Sequence, residues 1–94
     1  MADYLTRVEL HGAGAEDYQK LHSEMLARKF TKFIQSGDGT WYELPTAEYF
    51  STSTTLAAEG VRDIAIAAVK TTGRTFWVIT VAYGEAAWVL KKGK

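Results

Sequence analysis

Cysteine is missing from this 94-residue chain. Its absence excludes disulfides, thiolate metal sites and cysteine nucleophiles. Net charge is missing as well, because eleven Lys and Arg side chains balance eleven Asp and Glu. The chain therefore lacks the overall positive field of a non-specific nucleic-acid binder, although a local basic patch is compatible with neutrality. No apolar run reaches the roughly 18 residues of a membrane-spanning helix; the longest apolar-rich stretch is Phe76 to Ala82. The opening residues Met1-Ala2-Asp3-Tyr4 have neither the basic region nor the apolar centre of an export signal. With the lack of cysteine, this fits a cytoplasmic protein. Gly-x-Ser-x-Gly, His-Glu-x-x-His and calcium-loop patterns are absent, so most hydrolase and metalloenzyme classes lack support. The two histidines, His11 and His22, do not stand at metal-ligand spacing. Neither a metal nor a cofactor is expected.

What is present is an ordinary globular composition, 47% hydrophobic and 23% charged, sized for a single domain over residues 1–94. Period-2 and helical rhythms alternate along it. Tyr4 to His11 alternates as a strand, and Gly12-Ala13-Gly14 turns the chain. Tyr18, Leu21, His22, Met25 and Leu26 then form one face of a helix running to about Lys29, with Arg28 and Lys29 in its last turn. Phe30 to Gln35 and Thr40 to Leu44 read as a hairpin around Ser36-Gly37-Asp38-Gly39. Pro45 interrupts that run before Tyr49 to Thr54 resumes it. A second helix is expected over about 57–71, with Ala57, Val61, Ile64, Ala65, Ala68 and Val69 as its apolar stripe and Gly73 as its end. Gly60 inside it has no explanation in the sequence.

Arg74 to Tyr83 is the last main strand, and it is apolar on both faces. The order strand, helix, strand, strand, helix, strand predicts an α+β, ferredoxin-like βαββαβ two-layer sandwich: one antiparallel sheet with two helices on one face. Such a sheet leaves Trp77, Ile79 and Val81 uncovered. The Trp88-Val89-Leu90 segment folding back, or a second copy of the chain, would cover them. A homodimer through the open sheet face or the last strand is therefore expected. Lys91 to Lys94 reads as a flexible, solvated basic tail.

Few residues carry chemistry. His22 is placed to act as a general acid or base near neutrality, or simply packs at the edge of the first helix's stripe. Arg28, Lys29 and Lys32 cluster after that helix and can meet phosphates, or satisfy a solvated helix end. Arg7 and Glu9 share one face of the first strand, as a surface pair or as the flank of a site on the open sheet. Trp41, Tyr42, Tyr49, Phe50 and Trp77 are numerous for this length. Aromatics on a sheet can stack bases, although core and dimer packing uses them too. Gly12-Ala13-Gly14 lacks the third glycine and the lysine of a phosphate loop, so it reads as a turn.

The stretch Phe50-Ser51-Thr52-Ser53-Thr54-Thr55-Leu56-Ala57-Ala58 resembles the GhoS family, the antitoxins of type V toxin–antitoxin systems. There a similar aromatic, Ser/Thr-rich, Leu-Ala-Ala segment leads into the second helix. Tyr4, Met25, Phe30 and the Leu44-Pro45 region fall at similar spacings, so the resemblance runs from Tyr4 to about Val81. It implies a ferredoxin-like fold akin to that of small CRISPR-associated proteins. It also implies a cytoplasmic bacterial setting and an endoribonuclease that cuts the toxin's messenger RNA. Glu9 matches the acidic position of the first strand, and Phe50 the aromatic before the Ser/Thr run. His22 stands where the family pattern has arginine, and Trp41 and Tyr42 give a different hairpin. Residue reading and resemblance together lead to the expectation of a metal-independent, RNA-directed protein, with His22 as acid or base and the Arg28, Lys29 and Lys32 cluster as phosphate contacts; the resemblance adds Glu9 and Phe50 as RNA contacts. The alternative is a non-catalytic dimeric module that binds a protein partner or a small ligand.

Overall fold

The computed structural model describes residues 1–93. The elements run β1 (Ala2–Leu10), α1 (Ala15–Ala27), β2 (Phe33–Gln35), β3 (Trp41–Glu43), β4 (Glu48–Ser53), α2 (Ala58–Lys70), β5 (Phe76–Tyr83) and β6 (Lys91–Lys92). β1 lies between β4 and β5 and pairs antiparallel with both. Its alternation sorts side chains cleanly: Tyr4, Thr6, Val8 and Leu10 are buried, while Arg7 and Glu9 are exposed. Both helices lie on the buried side. Leu21 and Met25 of α1, and Val61, Ala65, Ala68 and Val69 of α2, join Tyr4, Val8, Leu10 and Tyr49 in one core. The small residues of α2 let its backbone approach the sheet closely. Among the described residues no helix is long and apolar enough to cross a membrane.

The strands divide into two small sheets, β4-β1-β5 and β2-β3-β6, where a single sheet was expected. The division comes from Pro45 and Ala47. Proline cannot donate to a ladder, and Ala47 takes a left-handed conformation at φ 62°. The run from Trp41 to Ser53 therefore kinks into β3 and β4. Pairing nonetheless passes around the kink. Thr31 exchanges both backbone hydrogen bonds with Phe50, and Leu44 N–H donates to the Lys32 carbonyl at 2.8 Å. β2 then pairs with β3, Phe33 opposite Glu43. The loop is not wasted on the first sheet, since Val8 N–H donates to the Ala47 carbonyl at 2.9 Å. In the hairpin turn the Asp38 carboxylate accepts from the Ser36 hydroxyl and from Thr40 N–H. These bonds hold its pKa down at about 2.

Two expectations about the C-terminal segment change. It does not fold over Trp77, Ile79 and Val81. Trp88 meets Tyr42 instead, ring centroids 5.8 Å apart, and Lys91 and Lys92 form β6 against Glu43 and Tyr42 of β3. The tail is thus partly a strand, tied by Gly93 N–H to the Trp41 carbonyl at 2.9 Å. Lys94, the end of the expected tail, lies outside the described residues. A side chain at Gly93 would strike the Phe33 ring, its Cβ only 2.7 Å from Cδ1. At Gly60 a Cβ would come within 3.1 Å of the Leu56 side chain, a tight contact that the half-exposed Leu56 can relieve by a small shift.

Candidate functional site

α1 ends at Ala27, earlier than its periodicity predicts, and this decides where its cations go. Lys29 N–H donates to the Leu26 carbonyl and Phe30 N–H to the Met25 carbonyl. With Lys29 in the left-handed region at φ 68°, this is a Schellman end, with lysine where glycine is usual. Buried Phe30 and Met25 supply the accompanying apolar contact. Arg28 and Lys29 therefore sit beyond the helix. Arg28 is tied back to the Glu24 carboxylate at 2.8 Å. Both cations border a depression of about 200 Å³ facing α2, with Ser51, Leu56, Val61 and Ile64 among its walls. Among the described residues the Ser51 hydroxyl, buried there, has no hydrogen-bond partner.

His22 and Lys32 share a different depression, of about 160 Å³, walled by Ser23, Leu26, Phe30, Thr31 and Phe33. Behind His22 lies Tyr49 of β4, fully buried. Its hydroxyl and His22 Nδ1 are 2.6 Å apart. Burial, with Tyr18 nearby, pushes the Tyr49 phenol well above its ordinary value, so it keeps its proton. A buried hydroxyl needs an acceptor, and Nδ1 is the one at hand. The phenol donates, Nδ1 accepts, and the imidazole carries its proton on Nε2. Burial, then the charge of Lys32, lowers the His22 pKa below 6.5. At neutral pH the ring is uncharged and offers an N–H donor. Acting as a base through Nε2 would require the Tyr49 phenol to reverse its role.

No protein-family model matches this chain, and no curated protein does.

The remaining candidates lie across the sheet. Glu9 faces away from the helices and pairs with His11 at 3.0 Å. It does not pair with Arg7. His11 in turn stands edge-on to Trp77, centroids 4.8 Å apart. Phe50 is opposite Leu5 in the ladder and shares that outer side. The predicted residues thus fall in three places: His22 with Lys32, Arg28 with Lys29, and Glu9 and Phe50 on the far face. Among the described residues no three His, Cys, Asp or Glu side chains gather as a metal-ligand set. On the outer face three large apolar groups stand side by side in water, with Trp77 71%, Ile79 61% and Val81 45% exposed. Linear spacing gave no sign of Tyr49 as the partner of His22. The signal available was the alternation of β4, which turns Tyr49 and Ser51 inward together.

Proposed function

We propose that this chain is a cytoplasmic, ferredoxin-like protein of the GhoS kind, directed to RNA through the depression shared by His22 and Lys32. Support for the fold reading comes from the central place of β1, from helices on one side, and from the Thr31–Phe50 bridge that sets β2 beside β4. The functional reading is carried by one arrangement: an imidazole N–H donor beside a lysine, with Ser23 and Thr31 hydroxyls on the same rim. Cation and neutral donors together suit a phosphate oxygen. Cleavage is the sharper form of the reading. It needs a base for the 2′-hydroxyl, which His22 supplies only once Nδ1 holds a proton toward Tyr49. As an antitoxin, the protein would act on a toxin's messenger RNA.

Fluorescence anisotropy with labelled single-stranded RNA tests this. Binding should weaken steeply as salt rises, and Lys32→Ala and His22→Ala should each lower affinity. Cleavage in chelator should disappear in His22→Ala. RNA binding that is absent at low salt, or indifferent to both substitutions, overturns the proposal.

The exposure of Trp77, Ile79 and Val81 favours a second reading: a non-catalytic module that associates with another copy of itself through the open sheet face. An exposed apolar stripe rimmed by charge marks an interaction surface.

A further inference from the structure

The open face carries its charges in a pattern that specifies a partner. Arg7 and Glu9 stand two residues apart on β1, pointing outward. In the ladder Arg7 is opposite Ile79 and Glu9 is opposite Trp77. The four side chains make a small square, with the two charges on one strand and the two apolar groups on the next. A depression of about 320 Å³ opens among them. A twofold axis lying in the face, perpendicular to the strands and midway between the two rows, exchanges both pairs at once. It brings Arg7 over Glu9 of a second copy and Trp77 over Ile79 of that copy, with the converse contacts generated by symmetry. No ion pair engages Arg7 among the described residues, and the Glu9–His11 pair is exposed. Desolvating this face against itself therefore gives a lone cation a carboxylate.

We infer that two copies pack open face to open face in this register, Arg7 against Glu9 and Trp77 against Ile79. Strands of the two sheets then run close to antiparallel, within the spread of aligned sheet packing. The inference rests on the self-association reading and adds the register and the charge pairing to it.

Sedimentation equilibrium of the full chain, with circular dichroism to confirm folding, is the test. Wild type should dimerise. Trp77→Ala should weaken the dimer roughly thirtyfold or more, as for a central aromatic anchor, and Ile79→Lys should weaken it too. Arg7→Glu and Glu9→Arg each set like charges face to face and should weaken it about tenfold or more. The double variant Arg7→Glu/Glu9→Arg should recover most of that loss. A wild type that stays monomeric at high concentration overturns the reading and the inference together. So does a dimer indifferent to Trp77→Ala and Ile79→Lys. A dimer that depends on Trp77 but is not rescued by the double charge swap overturns the register alone.

Discussion

The two faces of the β4-β1-β5 sheet are built from the same strands and meet opposite fates. Along β1, Tyr4, Thr6, Val8 and Leu10 go under the helices, while Arg7 and Glu9 stay outside. Along β5 the contrast is weaker. Phe76 and Val78 pack against the core, yet Trp77, Ile79 and Val81 on the other side are just as apolar. A face destined only for water would follow the pattern of β1 on both strands. Most of the water-exposed apolar surface of the outer face is therefore on β5; Leu5 of β1 and Phe50 of β4 on the same side are half-buried. The covered face also admits polar side chains: Ser51 of β4, and the Thr6 and Thr80 hydroxyls paired at 2.8 Å directly across the ladder.

One substitution on each face gives the sharpest contrast. Leu21 is fully buried, and Leu21→Ala should cost about 2–5 kcal/mol in chemical denaturation. Ile79→Ala on the outer face should cost no more than about 0.5 kcal/mol in dilute protein. If that small loss grows with protein concentration, the outer face is covered by association. If it is large even in dilute solution, the contrast between the faces is wrong.

Next comes the threonine pair. Thr80→Val leaves the fully buried Thr6 hydroxyl without its partner, a loss of about 1–3 kcal/mol, whereas replacing both with valine should recover most of it. A double variant as unstable as the single one would mean that shape, not hydrogen bonding, places threonine there.

The smallest effect concerns Tyr49→Phe, expected to cost about 1 kcal/mol and to move the His22 pKa upward. In the native protein that pKa lies below the unfolded value of 6.5. The unfolded chain therefore takes up the proton first as pH falls. The stability contributed by neutral His22 is complete above 6.5 and is lost as pH drops below it through the folded pKa. Denaturation midpoints across this range, with NMR titration of His22, check the sign and a shallower slope in Tyr49→Phe, where burial and Lys32 still hold the pKa down. A folded His22 pKa above 6.5 would sink the tautomer assignment.

Much of this was readable from local rhythm. Alternation separates the two sides of β1, the Leu21 and Met25 spacing finds the buried stripe of α1, and Pro45 marks the break between β3 and β4. The doubly apolar β5 already announced an uncovered face. Contacts between distant segments were not readable, because no periodicity encodes them. His22 meets Tyr49 only once α1 lies across β4, and Trp88 reaches Tyr42 only because the last segment closes on β3. The scatter of the candidate cations had a local cause that spacing hides: a left-handed residue at 29 stops α1 early and turns Arg28 and Lys29 away from Lys32.

That same residue sets a limit on how this protein can be improved. A lysine at φ 68° bears a left-handed penalty of roughly 1–2 kcal/mol, which glycine would largely remove. The swap would also strip a positive charge from the mouth between α1 and α2. Hardening the fold and keeping that surface basic are therefore opposed at one codon, and a thermostabilising screen that selects glycine there would remove one of the two cations that border the mouth.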